Sequence, residues 1–83
     1  MTHKIKVLYF ARLAEELGCH EQWFDVAMGM SVADFLKHVQ QAWNQPELMR
    51  LPLLKAVNEE YCLDSQVLND GDCVALLPPF AGG

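Results

Sequence analysis

The residues best placed to do chemistry are the last two, Gly82 and Gly83. They close the run Cys73-Val74-Ala75-Leu76-Leu77-Pro78-Pro79-Phe80-Ala81-Gly82-Gly83. Glycine has no Cβ, so its backbone can approach another surface closely and adopt φ values that other residues avoid. Pro78 and Pro79 hold φ at about −65° and donate no N–H, so a central strand cannot continue through them. From Pro78 to Gly83 the extended chain reaches roughly 20 Å, at about 3.3–3.6 Å per residue. Such a thread suits a narrow cavity on another protein. A terminal carboxylate, with a pKa of about 3.5, is ionised at neutral pH and is a poor electrophile. It needs activation before it can react, and AMP is a good leaving group. The chemistry would belong to the Gly83 carboxylate. Gly82 and Gly83 would serve access, because a side chain at either position widens the thread. Taken alone, the two glycines also fit a frayed tail or a truncation point; the elements before them must decide.

No other constellation offers a competing chemistry. Cys19, Cys62 and Cys73 are odd in number and form no close C-x-x-C pair, which suggests neither a disulfide framework nor a zinc ribbon. They read as small, half-buried hydrophobes. His3, His20 and His38 make no H-x-x-x-H pair and no Ser-His-Asp set, and are assigned to surfaces or strands. Glu15-Glu16 and Glu59-Glu60 are read as solvated faces. No metal site is expected. With a net charge of −5, the chain would be repelled by phosphate backbones and anionic membranes, so nucleic-acid and membrane partners are not expected, whereas a basic protein surface would attract it. No apolar run approaches the ~20 residues of a membrane span, and the N-terminal residues lack the long apolar segment of a secretory signal. The expected location is cytoplasmic.

The elements that must position the tail are legible from periodicity. Lys4–Phe10 alternates lysine with β-branched and aromatic residues and predicts a strand. Ala11–Leu17 predicts one or two helical turns, stopped by Gly18. Glu21–Val26 predicts a second strand. Ser31 is an N-cap with Asp34 three residues on, followed by Val32, Phe35, Leu36, Val39 and Trp43 at helical spacing, so a helix packed on a sheet is expected there. Pro46 stops this helix or starts a short second turn. Leu53–Val57 and Tyr61–Leu63 predict two short strands about a turn at Asn58-Glu59-Glu60, where Asn58 tolerates a left-handed φ. The Asp70-Gly71 turn leads into Cys73–Leu77, apolar at every position and therefore expected to be covered on both faces. This order is α+β, a mixed sheet with one main helix packed on one face. The domain would span 1–77, with 78–83 as an extended tail.

Ile5–Gly18, Ser31–Leu36, Ala56–Asn58, Leu68–Asp72 and the Val74–Gly83 terminus together resemble the molybdopterin synthase small subunit, the MoaD-type sulfur carrier. The resemblance covers nearly the whole chain. It implies a ubiquitin-like β-grasp fold, with the first and last strands parallel and adjacent at the centre of the sheet. It implies that a ubiquitin-activating-type adenylyltransferase consumes ATP to adenylate Gly83, and that a sulfur donor makes the thiocarboxylate. The loaded tail would then enter the large synthase subunit, in an expected heterotetramer, and pass sulfur to cyclic pyranopterin monophosphate. Two such transfers build the dithiolene. The carrier itself binds no cofactor and is not catalytic alone. Pro78, Pro79, Phe80, Ala81 and Gly82 would seat the tail, and Leu8, Phe10 and Leu76, near the tail end of the sheet, are the candidates for partner binding, with ordinary core packing as the alternative for Leu8 and Leu76. Phe80 is bulkier than the valine common in the family, which implies a roomier channel in the partner. The alternatives are a thiamine-pathway-type sulfur carrier, a ubiquitin-like protein modifier joined to lysines through Gly83, and a plain interaction domain.

Overall fold

In the computed structural model, residues 2–49 and 52–78 are described. Of the tail, Pro78 falls within them; the assignments made to Pro79, Phe80, Ala81, Gly82 and Gly83 lie outside.

The order of elements is β1 (Thr2–Tyr9), α1 (Ala11–Leu17), β2 (Glu21–Ala27), α2 (Val32–Trp43), α3 (Pro46–Met49), β3 (Leu54–Val57), β4 (Glu60–Tyr61) and β5 (Cys73–Leu77). The sheet runs β2-β1-β5-β3-β4. β5 lies at its centre, parallel to β1 and antiparallel to β3, with Val7 beside Val74 and Val57 opposite Val74. This is the expected mixed sheet of a ubiquitin-like β-grasp.

Helix α2 forms where its cap and stripe predict. Ser31 Oγ accepts the Asp34 N–H at 3.2 Å, satisfying one of the helix's free donors. Val32, Phe35, Val39 and Trp43 are buried on the sheet, against Ile5, Val7, Tyr9, Val57, Val74 and Leu76. Leu36 packs at the margin of this core and is half-buried. Burial of each large apolar side chain contributes about 1.5–3 kcal/mol. Phe24 of β2 meets Phe35 edge-on at 6.0 Å between centroids, the preferred geometry for two rings.

One polar contact crosses this core. Trp43 Nε1 donates to Tyr9 Oη at 3.2 Å, and Tyr9 Oη donates to Gln22 Oε1 at 2.7 Å. Burial pushes the Tyr9 phenol above its ordinary pKa, against the Trp43 hydrogen bond, which lowers it. Tyr9→Phe leaves the Trp43 N–H buried without an acceptor and is expected to cost about 1–3 kcal/mol in denaturant unfolding. The sign with pH follows: the folded chain holds the Tyr9 proton after the unfolded chain has lost it. Wild type therefore loses stability as pH rises past the ordinary tyrosine value, and Tyr9→Phe is less sensitive there.

At two turns of the sheet, residues other than glycine take a left-handed conformation. Val57 pairs with Glu60, so Asn58 and Glu59 alone make the β3–β4 turn, with φ of 51° and 73°. That is the two-residue hairpin geometry that favours Asn followed by Gly. Glu60 belongs to β4, and Leu63 lies beyond it, so the strand sits earlier than its apolar residues suggest. Asn58 also fixes the start of β5: its Oδ1 accepts the Cys73 N–H at 3.0 Å and its Nδ2 donates to Asp72 Oδ1 at 2.9 Å. Glu59→Gly is expected to raise stability by about 1 kcal/mol, read as a higher melting midpoint, because glycine takes this φ without the Cβ penalty. Ala11, at φ 51°, makes the other turn, where β1 gives way to α1. A left-handed conformation costs an L-residue about 1–2 kcal/mol.

Candidate functional site

Both helix α2 and the core lie on one face of the sheet, and strand alternation places the remaining side chains on the other. In β5, Val74 and Leu76 point into the core, whereas Cys73, Ala75 and Leu77 point away and are only half-buried. The expectation that this strand is covered on both faces is therefore corrected: apolar residues on both sides of a strand do not reveal that only one side has a helix to meet. On the open face, Leu8 and Phe10 from the β1 side, Cys73, Ala75 and Leu77 from β5, and Ala56 and Tyr61 from β3 and β4 line a groove of about 550 Å³, with Asn58 and Glu59 at its polar end.

Two of the three sequence-assigned docking residues lie here. Leu8 is half-buried in the groove wall, and Phe10 is 42% exposed. The third does not. Leu76 is 1% exposed and packed in the core, so it is a structural residue; one step of strand register separates it from the groove. Sequence reasoning missed Ala75, Leu77, Ala56 and Tyr61. The signal for them was the alternation with Val74 and Leu76, usable only once one face is known to be open.

The groove is apolar and chemically quiet. Burial pushes the Cys73 thiol above its ordinary pKa; the Lys6 ammonium opposes this, and Glu21 and Glu59 reinforce it. The thiol therefore stays protonated at neutral pH and is a weak nucleophile. Burial raises the Cys62 thiol as well. All three cysteines are free and half-buried, as small apolar side chains. Among the described residues, no cluster of His, Cys, Asp and Glu has the arrangement of a metal site, and no helix is long and apolar enough to cross a membrane. The acidic side chains Glu21 and Asp25 border the neighbouring part of the open face, with Trp23 exposed between them under the Lys6 ammonium, 5.9 Å from the ring centroid.

The groove leads to the tail. Leu77 closes β5 and lines the groove; Pro78 follows it. Because β1 and β5 are parallel, the end of β1 at Tyr9 and Phe10 lies at the same end of the sheet, and Leu54 pairs with Leu77 on the other side. The molecule thus offers a rigid central strand, an apolar groove beside it, and a terminal segment leaving from the groove's mouth.

Comparison with known proteins bears on what uses it. The ThiS family model matches residues 7–83. The chain is 38% identical over 82 residues to the molybdopterin synthase sulfur carrier subunit of Chlamydomonas reinhardtii, spanning 96% of this chain and 99% of that one. Among solved structures, SAMP1 from Haloferax volcanii superposes with a TM-score of 0.84 at 26% identity, covering 96% of this chain and 99% of the other. A chain from the complex of subunits 1 and 2 of the molybdopterin-converting factor of Helicobacter pylori shares the fold, with a TM-score of 0.65 at 20% identity over 96% and 99% of the two chains.

Proposed function

Because this chain belongs to the ThiS family, we propose that it acts as the sulfur-carrier small subunit of molybdopterin synthase, with Gly83 as the loading point. The observation that carries the reading is that the strand feeding Pro78 is the central strand of the sheet, with the apolar groove opening at its exit. The near full-length likeness to a curated sulfur carrier subunit supports the same assignment.

In this reading an adenylyltransferase joins the Gly83 carboxylate to the α-phosphate of ATP and releases pyrophosphate. A sulfur donor then displaces AMP, leaving a terminal thiocarboxylate. The domain's own groups do not touch the reacting atoms. Their work is to hold the tail on a rigid base and to bind the protein whose cavity receives it. The groove is the docking face for the synthase large subunit, since it is apolar and continuous with the tail root. The Helicobacter pylori protein of the same fold is itself found in a two-subunit complex. Inside that cavity the thiocarboxylate sulfur bonds to the cyclic pyranopterin monophosphate, water then cleaves the acyl C–S bond so that Gly83 leaves as a free carboxylate, and a second loaded carrier repeats the transfer to complete the dithiolene.

Intact-mass analysis of protein taken from cells tests the loading. The expected result is the mass gain of one oxygen replaced by sulfur, placed on Gly83 by fragmentation. Methionine oxidation adds nearly the same nominal mass, so a gain found only on the four methionines would overturn the assignment. The likeness to SAMP1, named a small archaeal modifier protein in a second structure, favours one other reading, attachment of Gly83 to lysines of other proteins. Higher-mass conjugates that vanish on removal of Gly83 would establish it.

A further inference from the structure

We propose that Glu59 is a specificity contact of the docking groove: its carboxylate meets a lysine or arginine on an otherwise apolar partner surface. The partner is named by the sulfur-carrier reading, on which this inference rests; the charge it must carry is read from the groove.

The backbone supplies the first observation. The β3–β4 connection has two residues, and such a turn favours glycine at its second position. Glu59 holds that position at φ 73°. An L-residue there is strained, and strain of this kind gathers at binding sites. Its neighbour Asn58 has a role inside the domain, since its side-chain amide accepts the Cys73 N–H and donates to Asp72. Glu59 has no such role. Among the described residues the ion pairs are Lys6–Glu21, Arg12–Glu16 and Lys55–Asp64, and the Glu59 carboxylate joins none of them.

Position supplies the second observation. Glu59 is exposed and lines the polar end of the groove with Asn58. Its charge is felt inside, where it helps to raise the Cys73 thiol. The floor and the far wall are apolar, and Glu59 is the one formally charged residue of the lining among the described residues. A partner that covers the groove strips water from this carboxylate, which is costly unless a cation replaces it. A second copy of this chain meets that demand poorly, because its net charge is −5 and its own groove brings another carboxylate.

The next residue provides a control. Glu60 is also exposed, but it pairs with Val57, whose side chain is in the core. Residues directly opposite in an antiparallel pair share a face, so Glu60 stands on the side of the sheet away from the groove.

Surface plasmon resonance of the full chain over the immobilised large subunit, at low and high salt, tests the contact. Glu59→Gln keeps the shape and removes the charge; it is expected to slow association about fivefold at low salt and to flatten the salt dependence. Glu60→Gln makes the same change in net charge and is expected to stay within about twofold of wild type. Glu59→Gly is expected to bind as weakly as Glu59→Gln while melting at a higher temperature, so that affinity and stability move in opposite directions. An unchanged association rate in Glu59→Gln overturns the contact. Equal losses in Glu59→Gln and Glu60→Gln reduce the effect to overall charge and overturn it as well. Absence of binding by the wild-type chain overturns the sulfur-carrier reading together with the contact, and sedimentation of the isolated chain as a dimer that Ala75→Glu disperses would make a second copy the occupant instead.

Discussion

Removal of Gly83 abolishes thiocarboxylate formation and sulfur transfer while leaving the melting midpoint where it was: this is the largest effect we expect from any single change. The shortened chain still ends in a glycine carboxylate, so its intrinsic chemistry is unaltered. What it loses is reach, about 3.3–3.6 Å of extended backbone. A misplacement of about 1 Å can cost a hundredfold in rate, so a shortfall more than three times larger takes the carboxylate out of the reacting position. None of the core side chains is near the deletion in sequence, the last of them being Leu76. Discontinuous measurement of pyrophosphate release and of the thiocarboxylate by mass, beside a thermal melt, checks both halves. A truncated carrier that loads at the wild-type rate would remove the terminal carboxylate from the mechanism.

The second large effect concerns the groove. Ala75 lies on the central strand between Leu8 and Ala56, and its small side chain leaves the floor open. Ala75→Glu fills that floor and puts a carboxylate where an apolar partner surface would be desolvated. Burying an unpaired charge is expensive, and the complex would avoid it by loosening. Affinity for the large subunit is expected to fall about a hundredfold or more, about 2.7 kcal/mol at 1.36 kcal/mol per tenfold. The same substitution faces solvent in the free domain, where strand preferences differ by only about 1 kcal/mol, so the melt should move little. Titration calorimetry with the isolated large subunit reads the first quantity. An unchanged affinity would move the docking face elsewhere, with the exposed Trp23 region of the same sheet as the next place to look.

The parts of this fold that could be read from the sequence are those with a local physical signature. Ser31 with the Val32–Trp43 stripe specifies α2 almost residue by residue, and Gly18, at φ 74° with its N–H bonded to the Ala14 carbonyl, closes α1 where a left-handed stop was needed. The family pattern supplied the pairing of β1 with β5, which no local rule gives. What stayed hidden depends on the third dimension. Leu76 reads as either a docking or a core residue from its place near the tail end of the sheet, because every residue of Cys73–Leu77 is apolar and the alternation carries no contrast to decide between them. Position β4 was misjudged because the two-residue turn took Asn58 and Glu59 and returned Glu60 to the sheet, leaving Leu63 exposed despite its apolar side chain. The groove is built from residues 8–10, 56–61 and 73–77, three segments that only the sheet order brings together.

The central place of β5 has a consequence for how this chain is made. Every other element among the described residues precedes it in sequence, yet it joins β1 to β3, so the sheet cannot close until this strand has been made. A nascent chain that aborts early lacks the middle of its own sheet. Without β5 the facing edges of β1 and β3 have no partner, and the buried Val74 and Leu76 are missing from the core.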